Sequence, residues 1–257
     1  MINPMDELTA RQIDILKAII QEHTETGEPV GSEILEKKYK LGVSPATIRN
    51  EMVVLAKKGY IMKSHFSSGR IPSPKGFRFY INKIMKQKEM STADEVAYKN
   101  SVWDERSEMH KLLTQATRVL AQRTGLVSLA TTNTGDIYFA GLANLLSIQE
   151  FINREMERQI FQQLEQIEYW ERLLNKFGSV EGHDIYFVLG DEGYSDPIYD
   201  SCASIFGEFD SNNVKGIIGV VGPKRMHYDL IAPQVKYFSE LLSGIMKEQK
   251  FGLDQVK

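Results

Sequence analysis

Leu41-Gly42-Val43-Ser44-Pro45-Ala46-Thr47-Ile48-Arg49-Asn50-Glu51-Met52 is the stretch whose reading decides the first third of this chain. Ser44 has a side-chain oxygen that can take a free backbone N–H, so it suits the N-cap of a helix. Pro45 then falls at the first helical position, where its missing N–H costs nothing. The helix so begun runs to about residue 58, and Gly59 ends it. Ile48, Met52 and Leu55 fall on one side of it, while Ala46, Asn50, Val53 and Lys57 face the other way. Thr47 and Arg49 lie on the two flanks. A small, polar and basic outward face is what a helix needs to enter a major groove.

Upstream, residues 40–43 form a tight turn with Gly42 as its left-handed position. Ser32 is expected as the N-cap of a preceding helix that runs to about Tyr39 and buries Ile34 and Leu35. A first helix opens with Thr9 as N-cap and Gln12 completing a capping box. Its apolar positions are Ile13, Leu16, Ile19 and Ile20, and Gly27-Glu28-Pro29 stops it by about Thr26. Two short helices around a tight turn with glycine are the signature of a helix-turn-helix. Downstream, residues 60–63 read as a strand, 65–70 as a polar turn, and Ile71 begins a returning strand that Pro72 and Pro74 keep short. That is a β-hairpin wing, with a further helix expected over 75–85.

The overall net charge of −3 conceals a strong segregation. Residues 1–36 sum to −6, residues 37–88 carry thirteen cations against Glu51 alone for +12, and residues 89–257 sum to −9. Thirteen cations against one anion are more than a solvated face requires, and they point to a polyanionic partner.

Residues 86–93 are polar and mark a boundary. Residues 94–123 read as one long helix with Val96, Trp103, Leu112, Leu113, Ala116 and Leu120 as its apolar positions. Strands follow at 126–131, 137–142, 184–189, 202–209 and 214–221, with an amphipathic helix at 153–176. A terminal helix over 226–247 has Leu230, Ile231, Val235, Phe238, Leu241, Leu242 and Ile245 at helical spacing, with a kink or late start expected at Pro233. The fold class is therefore α+β, with a winged helix-turn-helix over 1–88, a linker helix over 89–124, and a small antiparallel sheet with its helices over 125–257.

Several stretches resemble one family. They are Thr-Gly-Glu-Pro-Val-Gly-Ser (26–32), the quoted stretch 41–52, Ser-Ser-Gly-Arg-Ile-Pro (67–72), Lys-Gly-Phe-Arg-Phe-Tyr (75–80), Leu-Ala-Asn-Leu-Leu (142–146) and Gly-Ile-Ile-Gly-Val-Val-Gly-Pro-Lys-Arg-Met-His-Tyr (216–228). Together they are similar to the HrcA heat-inducible transcription repressors. The resemblance implies a dimeric repressor with a winged helix and a GAF-like C-terminal domain. It also implies an inverted-repeat, CIRCE-type operator upstream of chaperone operons, and a chaperonin that helps keep the repressor active. Family members carry a longer dimerisation insertion, whereas here Asn133-Thr134-Gly135-Asp136 leads almost directly from one strand into the next.

Read by role, Asn50 suits an adenine edge and Thr47 a thymine methyl or a phosphate. Arg49 suits either a guanine or the backbone, or it pairs with Glu51 or an acid of the first helix. Ser44, at a helix N-terminus, suits a phosphate as well as the cap. Lys57 and Lys58 suit phosphates. In the wing, Lys63, His65, Ser67, Ser68 and Arg70 suit a backbone or minor groove, with Gly69 allowing close approach. An enzyme is not expected: the five histidines have no metal-like spacing, Gly216 to Gly222 opens no helix, and neither a cofactor nor a metal is expected. The single Cys202 reads as a small buried apolar residue. A ligand-sensing repressor, with Tyr138, Phe139, Tyr186, Phe187 and Tyr199 lining a pocket, is the main alternative. A pure protein-interaction module is opposed by the +12 block. No apolar run reaches the ~20 residues of a membrane span, and no signal peptide is read, so a cytoplasmic location is expected.

Overall fold

The computed structural model describes residues 8–64, 69–151, 158–162, 166, 169, 172, 185–190, 202–211 and 214–249. Its contacts divide the chain into two units, 1–86 and 87–257.

The first unit opens with α1 (Ala10–Thr26), α2 (Ser32–Tyr39) and α3 (Pro45–Lys57). The capping box of α1 forms as read: the Thr9 hydroxyl accepts from the Gln12 N–H, the Gln12 side chain accepts from the Thr9 N–H, and Gly27 closes the helix in the left-handed region. α2 departs from the reading at both points. Its N-cap is Gly31, with Ser32 the first helical residue. Leu35 is fully buried while Ile34 is 40% exposed, because one turn of so short a helix presents only one side to the core. Lys40 as well as Gly42 takes positive φ in the turn that follows. On α3, Ile48, Met52 and Leu55 are buried, as are Ile15, Leu16, Ile19 and Ile20 of α1, and the two helices pack on each other. Each fully buried aliphatic side chain of this kind contributes roughly 1.5–3 kcal/mol.

Strands β1 (Ile61–Lys63) and β2 (Arg70–Pro72) form an antiparallel ribbon with Ile61 opposite Pro72 and Lys63 opposite Arg70. Val30 joins it through two backbone bonds with Arg70, of 2.8 and 3.0 Å. Helix α4 (Pro74–Phe79) begins earlier than expected because Ser73 caps it, and a π turn over Tyr80–Ile84 extends it.

The second unit corrects the single long helix. Residues 94–123 belong to two helices, α5 (Thr92–Trp103) and α6 (Met109–Thr124). The polar run 104–108 offers nothing to bury, and the Gln115 amide donates to the Ser101 carbonyl at 3.2 Å as the chain folds back. Val96 is 52% exposed, so it is not part of the apolar seam.

The sheet contains β3 (Val127–Thr132), β4 (Ile137–Ala140), β5 (Ile185–Leu189), β6 (Cys202–Ser211) and β7 (Val214–Pro223). Its order is β4-β3-β7-β6-β5, antiparallel throughout. β4 ends at Ala140, short of the expected Leu142, because Gly141 turns with φ 76° into a 3₁₀ turn over Leu142–Ser147. Most of the helix expected over 153–176 lies outside the described residues.

Helix α7 (Tyr228–Glu248) starts two residues later than Met226 and continues through Pro233. A proline leaves the carbonyl four residues earlier without its helical partner. That carbonyl, on Asp229, instead accepts the Lys88 N–H at 3.1 Å, and the two side chains pair at 3.3 Å. Leu230, expected on the buried side, is 41% exposed.

One sheet face packs on α6 and α7, where the His110 ring lies 5.3 Å from Tyr138 and Phe187 6.2 Å from Tyr228. The other buries Val127, Leu129, Cys202, Phe206, Ile217 and Val221 with Leu145 and Phe151 of the 3₁₀ turns.

Burial pushes the phenols of Tyr98, Tyr138 and Tyr237 above their usual range, with Arg123 pulling Tyr98 back in part. The folded chain keeps these protons where the unfolded chain releases them. Stability is therefore unaffected below the ordinary tyrosine pKa of about 10 and falls as pH rises beyond it. A melting temperature level to about pH 9 and declining above pH 10 is the expected titration.

Candidate nucleic-acid interface

The site is built on α3. Ser44 is exposed and caps the helix by accepting the Thr47 N–H at 3.2 Å, and the two hydroxyls lie 3.0 Å apart. Ala46, Arg49, Asn50, Val53 and Lys57 are all exposed, so the outward face is the one read from the sequence. Arg49 does not pair with Glu51. That carboxylate is held by Arg11 at 3.7 Å and accepts from the Gln12 amide at 3.0 Å. The one acid of the basic block is thus tied back to the capping box of α1. Among the described residues, no ion pair or hydrogen bond occupies the side chains of Arg49, Asn50, Lys57 or Lys63.

Not every cation of the block faces outward freely. Lys38 donates to both oxygens of Glu22, at 2.7 and 2.9 Å, and the Tyr39 hydroxyl donates to the same carboxylate at 3.1 Å. Burial first, then that hydrogen bond, raises the Tyr39 pKa. Lys75 lies 4.6 Å over the Tyr60 ring and donates to the carbonyl of half-buried Lys58 at 3.0 Å.

In the ribbon, Lys63 and Arg70 are direct cross-strand partners. Their side chains share one face of the ribbon, and two like charges so placed repel. An anion relieves that repulsion. The Arg70 guanidinium also donates to the Gly69 carbonyl at 3.2 Å. The close approach that Gly69 permits is to its own chain: an added Cβ would lie 2.8 Å from the Pro29 Cβ. His65, Ser67 and Ser68 lie outside the described residues.

The sequence reading missed Val30, Gly31 and Ser32. With Arg49, Gly69 and Arg70 they line a hollow of about 290 Å³ between α3 and the ribbon. The signal was present in Pro29, since the residue after a turn of this kind continues in extended backbone and can pair with a neighbouring strand.

The motifs of the second unit are accounted for by packing. The Arg225 guanidinium grips both oxygens of Glu150. The Tyr228 hydroxyl donates to the Lys224 carbonyl at 2.6 Å, and the Asn144 amide donates to Leu126 O at 3.0 Å. The aromatic residues read as pocket candidates alternate between sheet faces. Tyr138 and Phe187 meet the helices, Phe139 and Tyr186 lie on the other face, and Tyr199 is outside the described residues. Among the described residues no metal-ligand cluster occurs. No described helix is long and apolar enough to cross a membrane.

A family model described as the HrcA protein C-terminal domain matches residues 47–231. The chain belongs to the HrcA family. That match begins inside α3 and ends within the first turn of α7, so it spans both units. Over 125 residues the chain is 44% identical to the heat-inducible transcription repressor HrcA of Desulforamulus reducens, covering 49% of this chain and 35% of that one. Over 123 residues it is 45% identical to the protein of the same name in Clostridium tetani, covering 48% and 35%. The alignments therefore span about a third of the length of these HrcA relatives. A crystal structure described as a hypothetical protein at 2.2 Å resolution shares the fold. It has a TM-score of 0.77 and 20% identity, covering 95% of this chain and 100% of that one.

Proposed function

We propose that this chain is a negative transcriptional regulator of heat-shock and chaperone operons. In this reading residues 1–88 are a winged helix-turn-helix, and a homodimer binds an inverted-repeat, CIRCE-type operator and leaves it on heat stress. The observation that carries the reading is the exposed face of α3, where Arg49, Asn50 and Lys57 have no side-chain partner among the described residues, beside the Lys63–Arg70 pair of the ribbon. Such a polar and basic face suits a major groove, with the ribbon at the adjacent minor groove. The second unit is then a GAF-like domain that serves dimerisation and signal response, in a cytoplasmic, non-catalytic protein that a chaperonin keeps active. The short Asn133–Asp136 connection leaves α5, α6 and the sheet domain to supply the dimer contact. Two-fold symmetry would match the two half-sites.

Gel shifts at several salt concentrations test the site. Asn50→Ala is expected to cost about 1–3 kcal/mol on the operator and to spare random duplex, as loss of a base contact should. Lys57→Ala is expected to weaken binding to every sequence and to lower the salt slope by ~1. Operator affinity unchanged in both variants would remove α3 from the groove.

A ligand-sensing repressor of another regulon is the second reading. It draws on the buried hydroxyls of Thr131 and Ser204, which have no hydrogen-bond partner among the described residues. Native mass spectrometry finding a co-purified small molecule would favour it.

A further inference from the structure

The hollow between α3 and the ribbon has three features that base reading does not use. Helix α2 begins there at Gly31 with no side-chain cap, so the N–H groups of its first turn remain open. Ser32 is only 6% exposed and lines the hollow, yet its hydroxyl has no hydrogen-bond partner among the described residues. Arg49 from α3 and Arg70 from β2 line it as well. Two guanidinium groups, an open helix N-terminus and a buried donor hydroxyl around one hollow make a donor set for a phosphate.

We infer that this hollow seats one backbone phosphate of bound DNA, with Ser32 and the α2 N-terminus as donors and Arg49 as a backbone clamp. The inference rests on the DNA-binding reading above and deepens it. When a helix lies in the major groove and a hairpin in the next minor groove, the sugar–phosphate strand between the grooves passes over whatever separates helix from hairpin. Here that is the hollow. The exposed Val53 beside it offers an apolar edge suited to the sugar, not to the charge. A free phosphate ion has the same chemistry as the phosphodiester, so the test must separate the two.

The test uses the full chain, Ser32→Ala and Arg49→Gln, in fluorescence anisotropy with an inverted-repeat duplex and a random duplex across several salt concentrations. Arg49 is exposed and has no side-chain partner among the described residues, so Arg49→Gln breaks no described contact, and a thermal melt checks both proteins. Arg49→Gln is expected to weaken both duplexes by the same factor, roughly tenfold, and to lower the salt slope by about 1. Ser32→Ala is expected to weaken both roughly threefold. A single neutral methylphosphonate is then stepped along one half-site. At one position Arg49→Gln should cause no further loss, because the charge it clamps is already gone. Inorganic phosphate at matched ionic strength should displace neither duplex more than chloride does.

Loss confined to the operator would make Arg49 a base reader and overturn the inference. So would additive losses at every methylphosphonate position. Specific competition by inorganic phosphate, with duplex binding unchanged in both variants, would assign the hollow to a small anion. A wild-type chain that binds neither duplex at low salt would instead remove the DNA-binding reading itself. Where Ser32→Ala lowers the melting temperature, Arg49→Gln alone decides.

Discussion

Gly219→Val is expected to leave the second unit unable to hold its sheet. β7 is the central strand, paired on one side with β3 and on the other with β6, and Gly219 sits opposite both Leu129 and Phe206. A Cβ added there would overlap the Ile205 carbonyl oxygen and the Phe206 ring, and would stand 2.9 Å from the Phe206 Cα. A ring can turn away, but two of these obstacles are backbone of a strand held by its own ladder. Overpacking of side chains alone costs about 1–3 kcal/mol, and a clash with fixed backbone costs more. A loss of at least ~3 kcal/mol is a large part of the ~5–15 kcal/mol that stabilises a domain. Urea titration followed by near-ultraviolet circular dichroism measures it. A variant that unfolds at the wild-type midpoint would show that β6 can shift without breaking the ladder.

The glycines around this position were visible in the sequence, and their consequence was not. A run such as Gly216 to Gly222 states that something comes close, without saying what. Here the neighbour is the adjacent strand at Gly219 and the Leu126 side chain at Gly222. The five strands were legible because their apolar runs are bounded by turn residues, and their order was not, because pairing depends on contacts far apart in sequence. The single helix over 94–123 misread a polar interruption: period and propensity continue across residues 104–108, but nothing there can be buried.

In the first unit local chemistry decided more. Caps and turn residues act within four positions of themselves, so Thr9, Ser44, Gly27 and Gly59 all fell where they were read. The outward face of α3 followed from the same spacing. What escaped was the third component of the site, residues 30–32, which comes from another segment and reaches α3 only through the fold. The Glu51 carboxylate escaped for the same reason. Its neighbours on its own helix suggested Arg49, while Gln12, thirty-nine residues away, holds it.

Gly69→Val should sever the ribbon from the rest of the first unit and take DNA affinity with it. The backbone of Gly69 runs against Pro29 so closely that an added Cβ would lie 2.9 Å from the Pro29 carbonyl carbon and 3.0 Å from its oxygen. The next residues on each segment, Val30 and Arg70, exchange the two backbone bonds that anchor the ribbon. A branched side chain at 69 forces those segments apart, breaks both bonds and moves Arg70 together with its partner Lys63. Stability should fall by about 1–3 kcal/mol, the usual range for an overfilled contact. Affinity should fall further than stability does, because both ribbon cations and the Arg70 wall of the hollow are displaced at once. Loss of two phosphate contacts corresponds to a salt slope lower by about 2 on operator and random duplex alike. The comparison variant is Gly244→Ala on α7, where none of the described residues lies within 4 Å of the added carbon. That helix position should gain about 0.5–1 kcal/mol from the lower entropy of the unfolded chain and leave DNA binding unchanged. If Gly69→Val instead melts like the wild type and keeps its full salt slope, the ribbon is not anchored through Pro29 and Val30, and its cations do not reach the duplex.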